Sequence, residues 1–331
     1  MTSPRRALRW VASLSLAVAA FTAIAAPPAG AANPVGYTIL QGEGQCALAS
    51  VDLVTGAMQP IGTEASTKCV FDLAFTPDGT RLFGTRIDTT DPAAAHLVEF
   101  DLATGAATDR GQLGDFPIGG PGPFQGNLTF DNTGALYTYL VPVPLSPTVD
   151  PACDGSAFCL FQGNQAPPTN LTYVNHVPQP FTVYFGLASS CAGATTSSWV
   201  NLPSAGAAGN GWSVSVAAPA FNQVLASVNL TSTGPATTDI GPITDTFVQG
   251  LDYDAAGTLF GVGTAIGAPT PSLFTIDPST GTPTLVAALT IAGNPSGFGL
   301  GALAIPHPCP VPPPPPPAPS PVLVLAPRFT G

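Results

Sequence analysis

Three polar residues fall where a ligand or a reacting group could be held. Asp72, Asn127 and Asp252 each stand near the start of an alternating stretch: Phe71-Asp72-Leu73-Ala74-Phe75, Asn127-Leu128-Thr129-Phe130 and Leu251-Asp252-Tyr253. Asp72 and Asn127 occupy matching positions, and Asp252 lies two residues further along its stretch. If these stretches share a common centre, the three side chains line it as polar groups. Such a set could bind a polar ligand or, around Ca²⁺, support hydrolysis or elimination. The same residues could instead hydrogen-bond one segment to the next.

Other constellations carry less. Gly42-Glu43-Gly44-Gln45-Cys46-Ala47 has the spacing of a dinucleotide loop, but the residues after it read as a strand where that loop needs a helix. Asp252-Tyr253-Asp254-Ala255-Ala256-Gly257 opens like a calcium loop, yet Ala256 and Gly263 stand where ligands five and twelve belong. His96, His176 and His307 are scattered, with no metal-ligand spacing to each other or to cysteine. There is no G-x-S-x-G nucleophile elbow. No catalytic residue, cofactor or metal site is therefore expected.

The segments that must position Asp72, Asn127 and Asp252 recur. Ser272-Leu-Phe-Thr-Ile-Asp277-Pro-Ser-Thr-Gly281 is an alternating strand that ends in an Asp-x-x-Thr-Gly turn. The turn returns at Asp52–Gly56 and Asp101–Gly105, and a longer version runs from Asn229 to Gly234. A short acid at a strand end accepts downstream N–H groups, and the glycine supplies a positive φ. A second strand–turn–strand unit travels with the first, at Phe71–Thr85, Asn127–Tyr139 and Gly250–Val262. Together they make four strands per repeat. Gly56 and Gly105 stand 49 residues apart, and Gly234 and Gly281 stand 47 apart. Four strands at this pitch indicate a β-propeller.

The 129 residues from Gly105 to Gly234 hold two or three repeats, which gives five or six four-stranded antiparallel blades. Residues 141–220 are irregular, rich in Pro, Gly and Ser, and are read as strands at 171–174, 181–186 and 212–216, with room for an inserted β module. The first strand-like stretch, Gly36–Leu40, is a second strand lacking its first, whereas Gly301-Ala-Leu-Ala-Ile305 is a first strand lacking its second. The C-terminal strand is thus expected to complete the first blade.

Residues 1–32 read as a signal peptide: Arg5, Arg6 and Arg9, then an apolar run from Val11 to Ala26, then Ala29-Gly30-Ala31. The domain proper is 33–306, and 307–331 is a Pro-rich tail containing Pro312–Pro317. Beyond the leader, Lys68, Arg81, Arg86, Arg110 and Arg328 face all 19 acidic residues. With no basic patch, nucleic acid and membrane insertion are not expected. Six cysteines in an exported chain suggest three disulfides. Cys46 and Cys69 open onto one face of the blades and are the preferred pair. Cys153 with Cys159 would close a local loop, which leaves Cys191 with Cys309.

The 273–281 unit, followed by a Thr-rich strand, resembles the repeats of exported bacterial β-propellers of the YVTN, NHL and quinoprotein-like groups. The resemblance covers about residues 35–140 and 222–305. It implies architecture rather than activity, because propellers host unrelated functions. The expectation is a monomeric, extracellular or envelope-associated, non-catalytic module that binds a protein or glycan. The alternative is a lactonase-like hydrolase or a lyase acting at the centre of the ring.

Overall fold

The two recurring turns set the strand lengths. In the first, Oδ1 of Asp52 accepts the N–H groups of Val54 and Thr55, both at 2.9 Å, and Gly56 closes the turn onto the Asp52 carbonyl. Asp101 holds Ala103 and Thr104 in the same way, and Asp277 holds Ser279. Gly56, Gly105 and Gly281 have φ of 71°, 72° and 78°. In the second, Asp131 and Asp254 accept N–H groups at positions two and four downstream, ending at Gly134 and Gly257.

The computed structural model describes residues 33–42, 45–65, 70–88, 91–113, 127–140, 158–163, 171–177, 182–201, 223–231, 233, 237–295 and 299–309. They form five sheets, antiparallel apart from one short parallel pairing in blade 1, arranged as the blades of a propeller. Blade 1 contains β1 (Val35–Gly42), β2 (Gln45–Asp52) and β3 (Ala57–Ala65). Blade 2 contains β4 (Val70–Phe75), β5 (Leu82–Asp88), β6 (Asp91–Phe100) and β7 (Ala107–Gln112). Blade 3 contains β8 (Asn127–Phe130), β9 (Leu136–Leu140), β10 (Phe158–Gly163) and β11 (Thr172–Val177). Blade 4 contains β12 (Thr182–Ser189), β13 (Thr195–Asn201), β14 (Gln223–Val228) and β15 (Thr237–Ile243). Blade 5 contains β16 (Thr246–Tyr253), β17 (Leu259–Ala265), β18 (Ser272–Ile276) and β19 (Pro283–Ala288).

The chain then returns to blade 1. A short β20 (Thr290–Ile291) runs parallel to β3, pairs with β21 (Asn294–Pro295), and is followed by β22 (Gly299–Leu300). β22 pairs with β1, and Tyr37 and Ala304 exchange both backbone hydrogen bonds, at 2.7 and 2.8 Å. The segment 299–305 is therefore the innermost strand of blade 1, and the two ends of the described chain share one sheet. The ring has five blades. Strands β10 to β13, within the stretch read as irregular, finish blade 3 and begin blade 4.

The core is divided by the joints. Each of five apolar clusters spans two neighbouring blades: Leu48 with Leu73, Phe83 with Leu128, Leu160 with Leu187, Leu225 with Leu251, and Leu273 with Val51. Burying such a side chain contributes about 1.5–3 kcal/mol, so most of the hydrophobic stabilisation acts between blades. The outer joints are tightened by glycine. A Cβ at Gly62 of β3 would meet the Thr104 carbonyl oxygen of blade 2 at 2.2 Å, and one at Gly241 of β15 would meet Thr280 O of blade 5 at 2.1 Å. The Asp-x-x-Thr-Gly turn of one blade thus seats its backbone on the outer strand of the blade before it.

Gly62→Ala forces backbone against backbone and should cost about 3 kcal/mol. Gly257→Ala, with φ of +83° and open space around the added carbon, should cost only about 1 kcal/mol of conformational strain. Denaturant midpoints of the two variants check the ranking.

Candidate functional site

Asp72, Asn127 and Asp252 lie on inner strands β4, β8 and β16 and are only 2%, 6% and 6% exposed. Asp72 is committed to the ring. Its Oδ1 accepts Leu73 N–H at 2.9 Å, and its Oδ2 accepts Leu128 N–H of blade 3 at 2.7 Å. Asp252 repeats this arrangement: Oδ1 takes Tyr253 N–H at 2.8 Å, and Oδ2 takes Ile305 N–H of the closing strand at 2.6 Å. Asn127 sits at the Asp72 position of blade 3, and its Nδ2 is buried with no hydrogen-bond partner among the described residues. Burial pushes the Asp72 carboxyl well above the usual range despite its two N–H donors, and the charge of Asp252 adds to the rise. Burial likewise raises Asp252, to about 6, against the lowering effect of His307 and its own N–H donors.

The remaining joints use neutral side chains. Gln223 of blade 4 both accepts from Val248 N–H at 2.7 Å and donates to Val248 O at 2.6 Å, tying blade 4 to blade 5. Asn175 Nδ2 donates to Thr231 O at 3.2 Å between blades 3 and 4, and Gln41 Nε2 donates to Val70 O at 3.3 Å between blades 1 and 2. Every joint thus carries at least one bond from a side chain to a backbone group. Sequence reasoning missed Gln223, because it lies outside the repeated inner-strand motif.

One end of the ring is crossed by the chain after the closing strand. From Ile305 the chain runs to Cys309, whose N–H donates to Pro77 O in the β4–β5 turn of blade 2 at 2.7 Å. Pro308 packs on Gly79 of that turn. Cys309 is disulfide-bonded to Cys191, in the β12–β13 turn of blade 4, 118 residues away in sequence. Blade 4 does not neighbour blade 1, so this strap passes over the end of the ring rather than along its rim. His307, within the strap, is only 8% exposed. Its Nδ1 donates to Ile305 O at 2.7 Å and stands 4.0 Å from Asp252 Oδ2. One His307 ring nitrogen and the two sulfur atoms lie within 4.8 Å of one another.

The disulfide expected by elimination, Cys191–Cys309, is present. Cys46 and Cys159 are also disulfide-bonded, while Cys69 and Cys153 lie outside the described residues. The turn that carries Cys191 was hidden in sequence. Ser190-Cys191-Ala192-Gly193 is the blade 4 counterpart of Asp131–Gly134 and Asp254–Gly257. The Ser190 hydroxyl accepts Ala194 N–H at 3.1 Å, and Gly193 has φ of 83°. The pattern acid-or-hydroxyl-x-x-Gly covers it together with Thr76–Gly79, the turn of the Phe71–Thr85 unit.

Among the described side chains, His96 and His307 do not converge. His96 is on blade 2, where its Nδ1 contacts Asp109 at 2.9 Å and Asp109 also binds Arg86 at 2.6 Å. The side chain of His176 lies outside the described residues. The three arginines among the described residues, Arg81, Arg86 and Arg110, all lie on blade 2 and are all paired with Glu99 or Asp109. No helix among the described residues is long and apolar enough to cross a membrane.

Neither a protein-family model nor a curated relative matches the sequence. Solved structures align with this chain at low identity and low TM-score. A chain of a nidogen/laminin complex aligns with TM-score 0.46 and 11% identity over 83% of this chain and 99% of that one. A gluconolactonase from Xanthomonas campestris aligns with TM-score 0.38 and 15% identity, over 76% and 75%. A putative 6-phosphogluconolactonase from Bacteroides fragilis aligns with TM-score 0.40 and 12% identity, over 84% and 99%. At these scores the likeness carries no argument about this chain's activity.

Asp252 gives the site a pH signature. Its folded value of about 6 stands above the ordinary 3.8, so the folded state holds the proton between them. This stabilisation is full below pH 3.8 and is lost as pH rises through 6, an effect of about 3 kcal/mol. Asp72 acts in the same direction. The depressed carboxyls of Asp52, Asp78, Glu99, Asp109 and Asp277 act oppositely, and their contribution is lost as pH falls below the ordinary range. Thermal midpoints should therefore be higher near about pH 5 than near about pH 7, and Asp252→Asn should shrink that difference.

Proposed function

We propose that this chain is an exported, non-catalytic propeller that binds a protein or glycan through loops on the face opposite the strap. The observation that carries the reading is the commitment of Asp72 and Asp252. Each carboxylate already holds two backbone N–H donors, one of them from the next blade, and burial favours its neutral form. A carboxyl in that state is poorly suited to ligate Ca²⁺, which takes charged oxygen ligands. The strap crosses the end that carries the β4–β5 and β12–β13 turns, so approach is from the opposite end, toward which the long stretches of sequence joining β9 to β10 and β13 to β14 leave their strands. Long loops on a rigid frame are where binding residues concentrate. The disulfides fit an oxidising compartment, and the low charge fits a neutral or weakly polar ligand surface.

The competing reading, a hydrolase or lyase centred on the ring, makes a different demand. It requires turnover that depends on Asp72, Asn127 or Asp252. Purified disulfide-intact protein, assayed on sugar lactones and acidic oligosaccharides with and without Ca²⁺, should show no turnover above the blank. The same preparation should retain binding on a glycan array or to envelope proteins, and Asp252→Asn should leave that binding unchanged. Lactone or glycan turnover that is lost in Asp72→Asn or Asp252→Asn would overturn the proposal.

A further inference from the structure

The clasp at the end of the ring combines residue types that a disulfide alone does not need. Cys191 reaches it from the blade 4 turn, and His307 and Cys309 reach it from the strap. One imidazole nitrogen and both sulfur atoms lie within 4.8 Å of one another. His307 is buried, and its Nδ1–H is fixed on the Ile305 carbonyl at 2.7 Å. That bond sets the tautomer and leaves the other ring nitrogen with its lone pair. It is also the outer-shell contact that metal-binding histidines use to hold their orientation. The Asp252 carboxyl, 4.0 Å from Nδ1, places an ionisable acid behind the imidazole. Two thiolates and a neutral imidazole form a set that selects a thiophilic cation.

We propose that when Cys191–Cys309 is reduced, Cys191, Cys309 and His307 bind one Zn²⁺, which then holds the strap in place of the disulfide. The step needs a reductant of the dithiol or phosphine class. It delivers two electrons to the S–S bond, and two protons complete the thiols. Zinc binding then releases both protons, as thiolate ligation requires. The metal links the blade 4 turn to the strap, as the covalent bond does, so the strap stays closed over the ring in either redox state.

The test uses the full chain, reduced with a phosphine under anaerobic conditions and equilibrated with Zn²⁺ alone. Bound zinc is counted by elemental mass spectrometry, and alkylation of each cysteine is followed by peptide mapping. The map separates this site from the other four thiols, which the reductant also exposes. One zinc per chain is expected beyond that held by a Cys191→Ser/Cys309→Ser variant. Zinc should slow alkylation of Cys191 and Cys309 by about tenfold or more, and His307→Ala, first shown to be folded in its oxidised form, should abolish that protection. Equal alkylation rates with and without zinc, or protection unchanged in His307→Ala, would overturn the proposal. If reduction unfolds the protein, recovery of the β-sheet circular dichroism on adding zinc supports it, and failure to recover contradicts it.

Discussion

In a ring of sheets the inner strand of each blade has a neighbour on one edge only. Its other edge presents backbone N–H and C=O groups toward the centre, and at buried residues such as Leu128, Val248 and Ile305 an unpaired group is costly. Leu128 N–H and Ile305 N–H meet Asp72 and Asp252, and the backbone of Val248 meets Gln223. One side-chain group thus satisfies a stranded backbone group and joins two blades at once. The arrangement also explains why so few charges suffice. The described ion pairs of arginine are confined to blade 2, while cohesion around the ring comes from apolar clusters and neutral or buried polar groups.

The closing strand depends on the same interaction. Segment 299–305 joins β1 by backbone pairing, and Asp252 holds its end from blade 5. Beyond Ile305 the strap adds blades 2 and 4 to the connection through Pro77 and Cys191. The C-terminal part of the fold is therefore fastened to blades 1, 2, 4 and 5. The polar cluster of Asp72 and Asp252 is thus occupied by ring closure, and burial, against the lowering effect of those amide bonds, makes both protonate more readily than free carboxyls.

Much of the architecture was legible in the residues. Asp52, Asp101 and Asp277 with their glycines mark turns whose backbone geometry permits few alternatives. The complementary halves at Gly36–Leu40 and Gly301–Ile305 reveal a shared blade. The number of blades was not legible, because Ser190 replaces the turn acid in blade 4 and the apolar alternation of blades 3 and 4 is interrupted by Pro- and Gly-rich connections. The grouping of His307 with Cys191 and Cys309 was equally hidden. It arises where a strap crosses the ring, a juxtaposition of residues 118 apart that no local spacing encodes. Asp72 and Asp252 were recognisable as inward-facing polar residues, but their partners are backbone amides, and sequence does not show which amide a carboxylate will meet.

Native-state hydrogen exchange on the amides of Leu128, Val248 and Ile305 addresses the ring's cohesion most directly. If side-chain bonds across the joints hold a single cooperative ring, these three amides exchange together, and only through global unfolding. Exchange of Ile305 or Leu128 at the rate of an open turn, while the β-ladder amides of the same blades stay protected, would contradict that account.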